Sequence, residues 1–173
     1  MKTTLVSIIA AFALVLSARS AEVTAKLSAV HLCCQSCVKG VQAAVGKVQG
    51  ASAAVDKDER TVSLTGPDTA TVQKAADALV AAGYYGKSSD ASIKLSASTG
   101  AKGRKVQSLK VDGVHLCCGK CVTAVDEAVK SVPGVKSHTA EKNAESFEVK
   151  GDFNDKAVFT ALQKAGLTGK VGN

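Results

Sequence analysis

The residues VHLCCQSCV at positions 30–38 decide the fold of this chain, because they occur twice. They return as VHLCCGKCV at positions 114–122, an offset of 84 residues. Matching valines and glycines continue the similarity towards the C-terminus, and each copy is about 65 residues long, a length that can fold alone. The sequence therefore predicts two domains, at residues 21–88 and 105–173, joined by a Ser-, Ala- and Gly-rich linker at 89–104.

The spacing of apolar residues around each motif predicts the secondary structure. Residues 23–29 alternate as a strand does, and the valines that follow the cysteines recur at helical spacing. Further strands are predicted near 51–55, 61–65 and 146–150, and further helices near 68–82 and 155–165. A short strand is predicted at the C-terminal end of each unit. This order predicts the α+β class: two ferredoxin-like βαββαβ domains, each a four-stranded antiparallel sheet with both helices on one face.

Both cysteine clusters fall at the start of the first helix of a copy. Cys37 lies in the first helical turn with Cys34 just before it, and Cys121 and Cys118 repeat this arrangement. Residues three apart at a helix start face the same side, and the helix N-terminus favours the thiolate form. Disulfides that stabilise a fold would instead be spread along the chain. The clusters therefore indicate sites for soft metal ions.

Each cluster also contains a third cysteine and a histidine. Cys33 and Cys117 directly precede the pairs, and adjacent residues of an extended loop point in opposite directions, so they converge with the pairs only if the loop kinks. We interpret them as third ligands. His31 and His115 are either further ligands or hydrogen-bonded structural groups. Because each copy has its own complete set, the sequence predicts one metal site per domain.

A strand followed by Cys-x-x-Cys-Val at a helix start, in a βαββαβ unit of this size, resembles the heavy-metal-associated domain. That family includes copper metallochaperones, the periplasmic mercury-binding protein and N-terminal domains of metal-transporting P-type ATPases. The resemblance covers nearly the full length of both units. It implies a two-cysteine site at Cys34/Cys37 and at Cys118/Cys121. It also implies a partner that donates or accepts the metal, such as a metal transporter.

Two features outside the cysteines bear on the same resemblance. TGK at 168–170, and less fully YGK at 85–87, resemble a Thr-Gly-Lys of some copper chaperones whose lysine neutralises the metal–thiolate charge. This implies that role for Lys87 and Lys170, with a solvated surface charge as the alternative. The chain departs from the usual Gly-Met-x-Cys-x-x-Cys pattern, because the methionine is missing, a cysteine is added before each pair, and Ala29 replaces the first glycine.

The number of available ligands favours Cu(I) as the bound metal. Two or three thiolates suit Cu(I), whereas Zn²⁺ prefers four ligands, commonly sulfur and nitrogen. A Cys3His set is available in composition but requires a strongly kinked loop. We therefore expect Cu(I) bound by Cys34, Cys37 and Cys33, with His31 outside the ligand set. Zn²⁺, Cd²⁺ and Hg²⁺ are the alternatives.

The charge distribution argues against a nucleic-acid partner. The formal net charge is +7, but residues 21–87 hold seven basic and six acidic residues, and 106–173 hold nine and eight. The excess lies mostly in the linker, and no basic stripe with interleaved aromatic residues occurs.

The N-terminus predicts export. Residues 1–20 combine a basic start, an apolar stretch and small residues before position 21, as a secretory signal peptide does. We expect a periplasmic or extracellular mature protein, with no membrane span.

Three classes of function stay open at this stage. The first is a metal carrier, buffer or metallochaperone without enzymatic activity. The second is a thiol–disulfide oxidoreductase, since Cys-x-x-Cys is also a redox motif. The third is a structural pair of domains with local disulfides. No Ser/His/Asp set, carboxylate pair or phosphate loop supports hydrolytic or transferase chemistry.

Overall fold

The computed structural model describes residues 21–173, and the predicted signal peptide at residues 1–20 lies outside them. The first unit contains β1 (Val23–Ser28), α1 (Gln35–Val45), β2 (Ser52–Asp56), β3 (Thr61–Gly66), α2 (Thr69–Ala81) and β4 (Lys87–Ser88). The second unit contains β5 (Lys105–Asp112), α3 (Gly119–Lys130), β6 (Val135–His138), β7 (Ser146–Asn154), α4 (Asp155–Lys164) and β8 (Lys170–Val171).

Each unit folds around one four-stranded antiparallel sheet. The strand orders are β2-β3-β1-β4 and β6-β7-β5-β8, so the first strand of each unit lies inside the sheet and ends beside its cysteine loop. In both units the two helices pack against each other and against the sheet. The predicted α+β class with two ferredoxin-like βαββαβ units is therefore confirmed.

The apolar stripe of each first helix is buried as its spacing predicts. Val41 and Val45 of α1, and Val125 and Val129 of α3, have at most 1% of their surface exposed. Fully burying a side chain of this size stabilises a fold by about 1.5–3 kcal/mol. This burial fixes the rotation of each helix, and so it also fixes the direction in which the cysteines of its first turn point.

Strand β7 is longer than the sequence pattern predicts. It runs to Asn154 instead of residue 150, and Phe147, Val149 and Phe153 on one face are buried. The pairing register shifts within β5 and β6 opposite this extension. Gly151 lies there at φ 147°, and a Cβ on it would be 2.0 Å from the carbonyl oxygen of Gly134. The buried residues alternate through Gly151 to Phe153, but Gly151 adds no apolar side chain to the pattern, so the sequence predicted the strand end too early.

The connection at residues 89–104 has no regular secondary structure, as expected of a linker, but most of it packs on one unit or the other. Ile93 is buried, and the Gln73 side chain of α2 makes hydrogen bonds with both backbone groups of Lys94. Near the other end, Asp155 accepts hydrogen bonds from the backbone N–H groups of Lys102 and Arg104. The two units are therefore joined by a connection that is free over only a few residues.

The two units meet through backbone hydrogen bonds. Tyr84 and Leu167 form an antiparallel bridge in which Tyr85 N–H donates to the Gly166 carbonyl (3.0 Å) and Thr168 N–H donates to the Gly83 carbonyl (2.9 Å). His31 N–H also donates to the Gly166 carbonyl at 3.1 Å. The bridge joins the segments that follow α2 and α4, and the His31 bond docks the end of α4 against the start of the first unit's cysteine loop.

Two glycines permit this close approach. Both Gly83 and Gly166 have positive φ, and a Cβ on Gly83 would be 2.4 Å from the Gly113 oxygen. A Cβ on Gly166 would be 2.4 Å from the oxygen of Ala29. Since real Cβ atoms do not approach backbone so closely, a side chain at either position would push the units apart.

Within residues 21–173, no helix has the length and apolar character required to cross a membrane.

Candidate metal centre

The first helix of each unit positions its cysteine pair in the same way. Cys34 and Cys118 have extended backbone and act as the residues that cap α1 and α3. Their carbonyls accept the backbone N–H groups of Cys37 and Cys121, both at 3.0 Å. The two sulfurs of each pair consequently lie 3.8 Å apart in the first unit and 3.9 Å apart in the second.

Burial differs within each cluster. Cys37 and Cys121 have none of their surface exposed because they lie on the core face of their helices. The other cysteines are half-buried, and all six are free thiols: Cys33, Cys34, Cys37, Cys117, Cys118 and Cys121. Their separations of 3.3 Å or more exceed the ~2.05 Å of a disulfide bond.

The extra cysteines connect the two clusters. The Cys33 sulfur lies 3.6 Å from that of Cys37 in its own unit, but also 3.3 Å from Cys118 and 3.5 Å from Cys121. In the first unit the loop thus brings the extra cysteine beside the helical one, and in the same position it reaches the other unit.

Cys117 repeats this arrangement from the second unit. Its sulfur lies 3.7 Å from Cys121, 3.5 Å from Cys34 and 3.6 Å from Cys37. All six sulfurs therefore belong to one continuous cluster between the units. The cysteines of the two domains do not form two separate clusters, because the units dock at their cysteine loops, which the sequence pattern did not reveal. The expectation of one metal site per domain stays a prediction.

The sulfur separations match those of sulfurs that share one metal ion. With metal–sulfur bonds of about 2.3 Å, ligands of a tetrahedral ion lie about 3.8 Å apart and ligands of a trigonal ion about 4.0 Å apart. The eight sulfur contacts of the cluster span 3.3–3.9 Å. The described residues thus bring the donor atoms to nearly the spacing that a bound soft ion requires.

The surroundings of the cluster shift the pKa values of its thiols in opposite directions. Burial, and then the hydrogen bond to Cys118, raise the pKa of Cys33 to about 12. Burial also raises the pKa of Cys118, but backbone N–H groups at the start of α3 and the Cys33 contact outweigh it and lower this pKa to about 7. In the most buried pair, the hydrogen bond between the sulfurs lowers the pKa of Cys37 and raises that of Cys121. Neighbouring thiols therefore differ in how readily they lose a proton, and a soft cation that binds here displaces the protons of those whose pKa is raised.

The two histidines lie at the edges of the cluster in different surroundings. His31 is buried, and one of its ring nitrogens lies within 4.8 Å of the sulfurs of Cys33 and Cys121. His115 stacks against the ring of Tyr84, with 4.6 Å between ring centroids. Within the described residues, the Nε2 atom of each histidine is buried without a hydrogen-bond partner. Whether either histidine is a ligand stays open.

The two lysines lie at the sheet edges. Lys87 begins β4 and Lys170 begins β8, and both are exposed. Lys87 pairs with Ser28 at the end of β1, and Lys170 pairs with Asp112 at the end of β5. Their role in neutralising a metal–thiolate group stays a prediction.

Sequence reasoning missed Tyr84 as a residue that shapes the site. Its side chain is buried, its hydroxyl donates to the Cys37 carbonyl at 3.0 Å, and its ring covers His115 of the other unit. Burial raises the pKa of the Tyr84 phenol above its usual value. Gly40 of α1 leaves room for the hydroxyl, since a Cβ there would be 2.3 Å from it. This contact requires a glycine at position 40, and a single glycine in a helix forms no motif, so the sequence alone did not indicate the role of Tyr84.

Comparison with known proteins finds a family match over part of the chain. Residues 108–168 match the family model described as the heavy-metal-associated domain. No curated protein matches the chain. The N-terminal soluble domains of Bacillus subtilis CopA, a solution structure, are 14% identical, with 88% of this chain and 95% of that chain covered and a TM-score of 0.31.

A second solved structure is similar to the same extent. The first two RRM domains of the yeast poly(U) binding protein Pub1 are 13% identical, with 86% of this chain and 97% of that chain covered and a TM-score of 0.26. At TM-scores this low, neither structure indicates a function for this chain.

Proposed function

Because residues 108–168 match the heavy-metal-associated domain, we propose that the chain is an exported carrier or buffer of soft metal ions that prefers Cu(I). Domains of this family bind metals and are not typically enzymes. The observation that supports the proposal is the cluster of six thiols between the two units. Soft thiolate ligands select soft ions over the hard ions that prefer oxygen.

The preference for Cu(I) rests on how many donors converge. Around Cys37, the sulfurs of Cys34 and Cys117 are both within 3.8 Å, which provides a three-sulfur site without any nitrogen. A zinc site would require a fourth ligand. A ring nitrogen of His31 lies within 4.8 Å of the sulfurs of Cys33 and Cys121, so a mixed zinc site at that position is the competing outcome.

Partial exposure of the cluster suits a carrier. The cysteines that precede each helix are half-buried, whereas Cys37 and Cys121 are fully buried. Incoming thiols of a donor or acceptor protein could replace the half-buried sulfurs one at a time while the buried ones keep the ion. A metal transporter or another metal-binding protein is the kind of partner this exchange requires.

Export remains part of the proposal through the N-terminal sequence alone. Residues 1–20 have the composition of a secretory signal peptide. N-terminal sequencing of the protein recovered from outside the cytoplasm should begin near Ala21. Recovery of the chain only inside the cell, with residue 1 intact, would contradict export without affecting metal binding.

Competition between chelators tests the metal preference. The reduced chain of residues 21–173 is titrated against a Cu(I) chelator and, separately, against a Zn²⁺ chelator. The control is the Cys37→Ser/Cys121→Ser chain, which lacks the buried sulfur of both units. We expect the unmodified chain to retain Cu(I) against its chelator and to lose Zn²⁺, and the control to lose both.

Two results would contradict the proposal. Tight Zn²⁺ binding with weak Cu(I) binding would replace copper by zinc. Rapid reduction of a model disulfide by the metal-free chain, with little metal bound, would favour a thiol–disulfide oxidoreductase.

A further inference from the structure

The added cysteine before each pair lies in contact with the cysteine pair of the other unit. Three sulfurs are mutual neighbours around α1: Cys34 and Cys37 are 3.8 Å apart, and Cys117 of the second unit is 3.5 Å and 3.6 Å from them. We name these three residues the α1 triad. It contains the Cys-x-x-Cys pair of one unit and the added cysteine of the other.

The same arrangement exists around α3. Cys118 and Cys121 are 3.9 Å apart, and Cys33 of the first unit lies 3.3 Å and 3.5 Å from them. We name these three residues the α3 triad. The two triads use all six cysteines once, so neither competes with the other for a ligand.

Backbone geometry explains why the side chain of the added cysteine points away from the cysteine that follows it. Cys34 has extended backbone, with φ −160° and ψ 172°, and Cys118 is nearly identical at −155° and 171°. Successive side chains along an extended backbone point in opposite directions. The Cys33 side chain therefore points away from that of Cys34 and reaches the other unit. The Cys33 sulfur still touches that of Cys37 at 3.6 Å, so a local triad is the competing arrangement.

The interface between the units holds this exchange in place. His31, two residues before Cys33, donates its backbone N–H to the Gly166 carbonyl of the second unit. On the other side, the ring of Tyr84 packs on His115, two residues before Cys117. Each cysteine loop is thus attached to the opposite unit close to its added cysteine.

We infer that the chain binds two soft metal ions in two trigonal sites, the α1 and α3 triads, whose third ligands are exchanged between the units. This inference rests on the proposed soft-metal function. A thiolate added before the Cys-x-x-Cys pair then has a specific role, which is to complete the neighbouring unit's site. Each ion links both units, so occupation of one triad favours the docked arrangement that the other triad requires.

The test removes one pair and then asks which added cysteine the remaining pair uses. The reduced double variant Cys34→Ser/Cys37→Ser, in the chain of residues 21–173, keeps only the pair of α3. Adding Cys33→Ser should weaken Cu(I) binding at least about tenfold, since even a group that only orients a ligand contributes 10–100-fold. The sulfur coordination number from X-ray absorption should fall from three to two. Adding Cys117→Ser instead, the matched control, should leave both values unchanged.

The reciprocal series gives an independent check. In Cys118→Ser/Cys121→Ser, the remaining pair of α1 should depend on Cys117 and not on Cys33. Thermal unfolding of every variant shows that a loss of binding does not come from loss of the fold. Native mass spectrometry of the unmodified chain should show two Cu(I) per chain at saturation.

Each other result refutes the exchange. Dependence on the local added cysteine would show that the third ligand comes from the same unit. Equal losses from both added cysteines would show one four-sulfur site. If the unmodified chain binds no Cu(I), the proposed function fails as well, whereas a Cu(I)-binding chain with local third ligands fails the exchange alone.

Discussion

Replacing Gly166 by alanine should separate the two units without unfolding them. Gly166 has φ +81°, and an added Cβ would lie 2.4 Å from the Ala29 oxygen and 2.5 Å from the His31 nitrogen. A non-glycine residue in this conformation costs about 1–2 kcal/mol. The Gly166 carbonyl also accepts two hydrogen bonds from the first unit, and their loss costs about 1–3 kcal/mol at about 0.5–1.5 kcal/mol each. We expect a total loss of about 2–5 kcal/mol in stability, of which the about 1–3 kcal/mol from the lost hydrogen bonds is lost from docking.

The matched control is Gly113→Ala. Gly113 has nearly the same φ, +77°, but a Cβ there meets nothing within 4 Å. This variant therefore carries the backbone strain of about 1–2 kcal/mol and leaves the interface intact. Comparing the two variants isolates the effect of the contact between the units.

Mild oxidation followed by peptide mapping measures docking directly. In the unmodified chain and in Gly113→Ala, the sulfurs of Cys33 and Cys118, 3.3 Å apart, should form a disulfide between the units. Gly166→Ala should lose this product and bind Cu(I) more weakly, while circular dichroism shows that its secondary structure is retained. Equal yields of the disulfide in the two variants would refute the view that Gly166 allows the units to dock.

Three further results are expected from the fold. Ala29→Gly should raise the free energy of unfolding by about 0.7 kcal/mol, since Ala29 has φ 58° and relief of this strain exceeds the added flexibility of glycine in the unfolded chain; an unchanged value in chemical unfolding would argue against the strain. Asp155→Asn should lower the free energy of unfolding at pH 7 by about 1–3 kcal/mol, because its carboxylate accepts backbone N–H groups. Burial raises the pKa of Asp155, but these hydrogen bonds outweigh burial and lower it. The carboxylate therefore stabilises the fold at neutral pH, and this stabilisation is lost as the pH falls below about 4. An Asp155→Asn variant whose free energy of unfolding is lowered as much at pH 3 as at pH 7 would contradict this. Residues 21–95 and 99–173, expressed separately, should each unfold in one cooperative transition by calorimetry, and failure of both to fold would overturn the two-unit organisation.

The element order could be predicted from the sequence because it depends on local periodicity. Valines at helical spacing, including Val41 and Val125, are buried as expected, and the cysteine pairs lie at the helix starts that the motif indicated. The end of β7 was predicted too early because Gly151, although buried in step with Val149 and Phe153, adds no apolar side chain to the pattern. Local signals therefore determined the elements, and the error occurred where a buried position has no side chain.

The shared cluster could not be predicted because docking depends on contacts that carry no motif. Gly83 and Gly166 follow their helices, where glycine is ordinary at a helix end. Only the structure shows that each also removes a clash with the other unit. The position of the cysteine pairs at the helix starts was therefore predictable, whereas the assembly of the six cysteines into one cluster was not.

X-ray absorption on the Cu(I)-loaded chain tests the central claim most directly. The reduced chain of residues 21–173 is loaded with Cu(I) to saturation, and its copper edge and extended fine structure give the number and type of ligands. The account predicts three sulfur ligands per copper at about 2.3 Å, with no nitrogen. Copper bound through nitrogen and sulfur together, or a chain that binds only four-coordinate zinc with a histidine ligand, would contradict it.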